Sequence, residues 1–278
     1  MTIVAGFCGF GGTILCADSL ETVDNYSKRK VRKILDLEVG GPPFNVAIAG
    51  AGNDGSYIDS LTEEMTESLY RLDEASLDLS AMVDAISSTV HTFYERHIWP
   101  LGSQDSMVEF LIVIQEPKSE GYLFHVHGTT VNRIQDRKTI GIGSMFADVV
   151  LDNTLSSYGD ELHLTAVAVN MLKEVRDHIV GCGEDPLVYL YRRHGGYILL
   201  LPNQIEAMGK VLAEFKGFIK TEFYAVTDLQ HRKHEHGKPE SGDADISSER
   251  LTARMEDIQN KFTEILRMKG EFRKEDLL

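Results

Sequence analysis

Lys33 stands where a lysine is costly. In "VRKILDLE" (31–38), Val31, Lys33, Leu35 and Leu37 alternate with Arg32, Ile34, Asp36 and Glu38. That spacing puts Lys33 on the apolar face of a strand and leaves Arg32 to the polar one. An ammonium there is unfavourable unless a carboxylate pairs with it or chemistry uses it. Burial lowers its pKa, and a nearby carboxylate opposes the shift. On the strand pattern alone, a lysine snorkelling out at the sheet edge is the slightly better reading. Asp18 moves the balance, because it ends a strand of apolar and small residues and itself wants a cation. Asp18 with Lys33 therefore reads as a buried pair, a kind retained for specificity or function more often than for stability. Thr2 joins them by position, at the tip of a core-bound strand one residue behind the initiator Met. The sequence thus predicts that Thr2 carries chemistry.

The elements that must position these residues follow from pattern. Residues 2–8 and 13–18 read as strands joined by the glycine turn "GFGG", and "FNVAIAG" (44–50) is a further strand ending at "AGAGNDG". Ile58, Leu61, Met65, Leu69 and Leu72 recur at helical spacing, and a second helix runs over 79–99, stopped by Pro100. "EFLIVIQE" and "GYLFHVHG" form a hairpin around "PKSE". "TIGIGS" leads into a helix over 144–158, and Leu164, Ala168, Met171, Leu172, Val175 and Ile179 stripe the next. "PLVYLYRRHGGYILLL" is a third hairpin. Strands grouped in hairpins and helices grouped in pairs predict an α+β chain, a four-layer αββα sandwich with two antiparallel sheets between helix layers.

That domain is expected over 2–201, with a helical extension over 202–278. In the extension, Ile205, Met208, Leu212, Phe215 and Ile219 form one apolar seam, and Leu251, Met255, Ile258, Phe262 and Ile265 form another. A polar linker near 228–248 separates them. The seams pair with each other or with another subunit, or each packs on its own domain.

At 278 residues, with 42% hydrophobic and 26% charged content, the chain has enough material for a sizeable core. A net charge of -15 argues against nucleic acid or an anionic membrane as partner. Cys8, Cys16 and Cys182 make no disulfide framework, which points to the cytoplasm. No apolar run approaches the ~18 residues of a membrane helix, and no signal peptide is evident.

Thr2, "ADSLET" (17–22), "VRKI" (31–34) and "IAGAGND" (48–54) together resemble the β-type subunits of the proteasome and their bacterial relatives, which are N-terminal nucleophile hydrolases with the αββα fold. The Thr2-to-Asp18 interval fits that family, and the Asp18-to-Lys33 interval is about one residue shorter than usual. "IGIGSMFADVVLD" is similar to the family's "GSG" segment and "VRDHIVGCG" to its "RDxxSGG" segment; the likeness spans about residues 2–200. It implies that removal of Met1 frees the α-amine of Thr2, whose pKa near ~8 suits a general base for its own hydroxyl. Lys33 would lower the pKa of the nucleophilic system, Asp18 would hold Lys33, and the Gly50 N–H would serve the oxyanion. Asp177 would support the amine and Thr22 would bind substrate main chain. Glu21, Val31, Ile48 and Gly52 would line a mostly apolar slot with an acid at its edge, suited to hydrophobic or basic side chains.

Two positions depart from that family. Its supporting serines are replaced by Ile142 and Val180, leaving Asp177 with fewer neighbours, although Ser144 could restore a hydroxyl after a small register shift. The leading expectation is a threonine-type peptidase in a homo-oligomeric ring, acting on peptides or unfolded protein, with no cofactor and with any ATPase or other regulator unspecified. The departures favour the alternative of a non-catalytic ring or scaffold subunit. A third reading is an amidase acting on a small-molecule amide. No metal set is expected. His231, His234 and His236 lie in the polar linker and read as a solvated loop. His125 and His127 share one strand face, but no third ligand is evident in the sequence.

Overall fold

A computed structural model describes residues 2–23, 27–101, 108–218 and 243–267. Two five-stranded antiparallel sheets and flanking helices make up residues 2–202. In the first sheet, β1 (Val4–Gly9) and β2 (Gly12–Ala17) form the hairpin that carries the chain start. β10 (Arg137–Ile140) pairs with β1 on one side; β11 (Leu187–Arg192) and β12 (Tyr197–Leu200) extend β2 on the other. A separate hairpin, β3 (Leu20–Val23) with β4 (Ser27–Lys30), projects between the sheets' strands in sequence. The second sheet runs in order through β5 (Ile34–Val39), β6 (Phe44–Gly52), β7 (Val108–Gln115), β8 (Gly121–His127) and β9 (Thr130–Ile134).

The layers follow from which faces are apolar. Val4, Leu15, Tyr189 and Tyr191 of the first sheet share a buried cluster with Ile34, Ala47, Leu111 and Leu123 of the second. The opposite face of the second sheet packs Val46, Ile48, Phe110 and Ile112 on α1 (Gly55–Tyr70) and α2 (Leu79–Phe93). α3 (Ser144–Thr154) and α4 (Glu161–His178) cover the first sheet. This αββα order is the layering that the grouped hairpins and helix pairs predict. Aspartates begin three of the helices: Asp54, Asp78 and Asp160 accept from the backbone N–H of Ser56, Ala81 and His163.

Several expected bounds change. The strand expected over 31–38 begins at Ile34, so Lys33 lies just before it. Its "polar" side is enclosed at one end: Ile34 is buried between the sheets, and the half-buried Asp36 is met by Arg32 and by the Tyr189 hydroxyl, while Glu38 stays exposed. Both faces are packed at that end because the second sheet lies between another sheet and two helices, a setting in which two-residue alternation does not assign sides. The helix expected over 144–158 ends at Thr154. The helix expected over 79–99 gives way after Phe93 to a π-turn and then a 3₁₀ turn carrying Pro100.

Residues 203–278 form a separate unit. The helix over 202–218 (α5) begins at its edge, and α6 spans Asp243–Arg267. The linker placed near 228–248 lies outside the described residues as far as 242, and from Asp243 the chain is helical; the linker histidines and Ile219 are likewise outside. Within this unit the two helices meet each other: Glu214 of α5 faces Arg254 and Lys261 of α6, and the Gln204 side chain donates to the Ile265 carbonyl. Among the described residues, no helix is long and apolar enough to cross a membrane.

Candidate active site

Asp18 is the anchor, leaving the end of β2 with a side chain only 2% exposed. Its Oδ1 accepts from the Ile3 N–H at 3.1 Å and from Lys33 Nζ at 2.5 Å; its Oδ2 accepts from the Gly183 N–H at 2.9 Å. Lys33, 6% exposed, also donates to the Leu20 carbonyl. The carboxylate thus ties the chain start, the lead-in to β5 and the loop after α4 into one buried point. Charge-assisted bonds in such a setting are roughly twice as strong as neutral ones. The snorkelling alternative for Lys33 is thereby set aside.

Thr2 is fixed from both sides. Asp18 holds the N–H of the next residue, while the Thr2 carbonyl accepts from the Gly143 N–H at 3.3 Å. Gly141, at φ +92°, makes this approach possible, since a Cβ there would lie 2.4 Å from the Thr2 carbonyl oxygen. Thr2 and Lys33 line one cleft of about 640 Å³, together with Gly50, Gly52, Val31 and Ile48. Six of the residues singled out in the sequence are thereby brought to one cavity, with Asp18 held to it through Lys33. Thr2 and the buried Lys33 thus share the wall of one cleft, where a positive charge stabilises an anion that develops within it.

Gly50 has a packing reason as well. A Cβ there would lie 2.6 Å from Ile58 Cγ2 and 2.7 Å from Phe110 Cε1, so α1 approaches β6 only over a glycine. Gly50→Ala is expected to cost about 1–3 kcal/mol by overpacking, read as a lower urea midpoint. An unchanged midpoint would show that α1 yields freely.

Other residues are placed differently. Asp177 is not at the cleft. It sits in the last turn of α4, paired with Lys173 one turn back and with Arg176, and these cations hold its pKa below the usual carboxylate value. Two basic neighbours keep it on that exposed helix end. The Gly183 N–H, a few residues on, is what this segment gives the site. Ile142 lines the cleft and is 59% exposed; Val180 is 84% exposed. Glu21 and Thr22 lie in β3, opposite Arg29 and Lys28, and their side chains are outside the described residues. Buried Cys182 has its thiol pushed up to about 11, chiefly by burial and then by the Asp18 charge.

Glu109 lines the cleft too and escaped the sequence reading. It lies opposite His127 in the β7–β8 register, and its carboxylate faces His125 and His127. Hairpin counting across "PKSE" is the signal that finds it.

No protein-family model and no curated protein matches the sequence. Solved structures do share its fold. Anbu (ancestral beta-subunit) from Yersinia bercovieri superposes with a TM-score of 0.66 at 14% identity, covering 79% of this chain and 96% of that one. A Gly-1 mutant of Anbu from Hyphomicrobium sp. strain MC1 gives 0.65 at 12%, covering 80% and 100%. The helical assembly of the Anbu complex from Pseudomonas aeruginosa gives 0.61 at 14%, covering 87% and 99%. Anbu is proteasome-like but a distinct family, so the resemblance to proteasome β-type subunits is corrected: the fold is similar to that of the ancestral β-subunits.

Proposed function

We propose that this chain is a subunit of a proteasome-like particle built from copies of itself. The observation that carries this is an exposed apolar stripe. Ile142, Met145 and Val149, spaced by three and four residues along the entry and outer side of α3, are 59%, 81% and 54% exposed. Val180 follows α4, whose His178 stacks on Phe146 of α3 at 5.1 Å. Clustered exposed apolar side chains mark association surfaces more often than single ones do. The similarity to Anbu, one example of which is described as a helical assembly, supports the same reading. Native mass spectrometry and negative-stain microscopy of the full chain test it. Rings, or helical stacks of one chain type, are expected; a plain monomer at micromolar concentration would overturn it.

A second reading, hydrolysis of amides by Thr2, is favoured by Lys33, which lines the same cleft and is held in a buried pair with Asp18. With Met1 removed, the freed amine takes the Thr2 hydroxyl proton and Oγ attacks the amide carbon. The oxyanion of the tetrahedral intermediate is met by the Gly50 N–H and the Lys33 charge. The amine leaves with a proton, and water hydrolyses the resulting ester to restore Thr2. Val31 and Ile48 would receive an apolar side chain. Ile142 and Val180 supply no hydroxyl to steady the amine, which is why assembly stands first. Intact mass shows whether Met1 is gone. A β-lactone or boronate probe should then label the wild type and spare Thr2→Ala; equal labelling of both, or retained Met1, counts against the mechanism.

A further inference from the structure

The core between the sheets ends in a polar group with the chemistry of a metal site. β7 and β8 pair so that Glu109 lies opposite His127 and Leu111 opposite His125. Alternation along each strand then puts Glu109, His125 and His127 on one face. Further along, that face carries the buried Leu111, Val113 and Leu123. Glu109 Oε2 is 3.3 Å from His125 Nε2, and Glu109 Oε1 is 3.0 Å from His127 Nδ1. One ligand atom from each residue falls within 4.8 Å of the others. Ligand atoms bound at about 2.0–2.2 Å stand roughly 3.0–3.5 Å apart around one ion, so small rotations admit an ion.

We propose that Glu109, His125 and His127 bind one divalent transition-metal ion of the zinc class. Two imidazoles and one carboxylate suit zinc, nickel or cobalt, whereas magnesium and calcium prefer all-oxygen sets. The site is semi-enclosed: side-chain exposure is 12% for His125, 31% for Glu109 and 47% for His127. Burial, opposed by the bond to Glu109, moves the His125 pKa down from its usual value. Lys138 of the facing sheet is a cation that opposes an ion there, and the Glu109 carboxylate offsets it. Three protein ligands leave a tetrahedral ion one position for water. Because Glu109 also lines the cleft of Thr2, an ion there adds positive charge to that cleft's wall. This inference does not depend on Thr2 being a nucleophile.

The test uses tag-free, chelator-stripped full chain with His231, His234 and His236 changed to Ala throughout, which removes the linker histidines as competitors. Zinc titrated against a chromogenic chelator is expected to bind at one equivalent. His127→Ala and Glu109→Gln should each weaken that binding at least about tenfold, roughly 1.4 kcal/mol, while circular dichroism without metal stays unchanged. Cobalt added to the same chain with Glu109, His125 and His127 intact should give the intense visible absorption of a tetrahedral ion, a readout that needs no change at the site. Absence of one-equivalent binding, equal affinity in both variants, or only the weak spectrum of hydrated cobalt overturns the proposal.

Discussion

Asp18→Ala is expected to lower the unfolding free energy by about 3–5 kcal/mol, the usual cost of breaking one side of a buried ion pair. The structure gives the reason atom by atom. The substitution takes the carboxylate from Lys33, 6% exposed, whose ammonium also donates to the Leu20 carbonyl. It also takes the acceptor from two backbone donors, the N–H groups of Ile3 and Gly183. Unsatisfied buried donors cost about 1–3 kcal/mol each, so the total reaches this range even where water enters. Urea denaturation of the full chain reads it, and the deficit should fall in the transition of residues 2–202. Lys33→Met in the Asp18→Ala background should then cost less than in the wild type, since the ion pair it would break is already gone; coupling of about 0.5–3 kcal/mol is expected for contacting charges. An Asp18→Ala deficit under about 1 kcal/mol would mean that the carboxylate is not what holds the chain start to β5.

That pair was legible in the sequence, though for a partly mistaken reason. Lys33 drew notice as a charge on an apolar strand face, yet the strand starts one residue later and both of its faces are packed at that end. What survived was composition: one cation and one carboxylate, each at the end of an apolar run. Helices at 3.6-residue spacing and hairpins with glycine or "PKSE" turns were legible because one local pattern decides each. β3–β4 was not, since "LETV" and "SKRK" lack the apolar alternation of a core strand. The pairing of Asp177 with Lys173 and Arg176 was not read, because a motif's place in sequence says nothing of which local cations meet its carboxylate. Glu109 lay within reach: "PKSE" puts Gln115 opposite Gly121, and counting outward in that register arrives at Glu109 opposite His127. The distinction between proteasome β-type subunits and Anbu was not legible, because a threonine start, a strand-end aspartate and a strand lysine are features that related folds can hold in common.

Met145→Glu with Val149→Glu is expected to take the assembled particle apart while leaving the single chain folded. At 81% and 54% exposed, these side chains contribute little to the core of their own subunit, so the fold should change by less than about 0.5 kcal/mol. In a contact between copies the balance reverses. Burying each apolar side chain would contribute about 1.5–3 kcal/mol, and a carboxylate in its place must be desolvated or left unpaired in every interface of the particle. Repetition multiplies the effect, since a closed ring or a helix loses the same contact at each copy. Sizing at equal concentration should therefore move the main species from the assembly to one or two chains, with thermal unfolding of the dissociated chain little changed. Trp99, 53% exposed at the end of the α2 segment on the other helix layer, supplies the control: Trp99→Glu should leave the particle whole. If Trp99→Glu disperses it and the α3 variant does not, copies meet across the α1–α2 layer and the stripe of Ile142, Met145 and Val149 has another role.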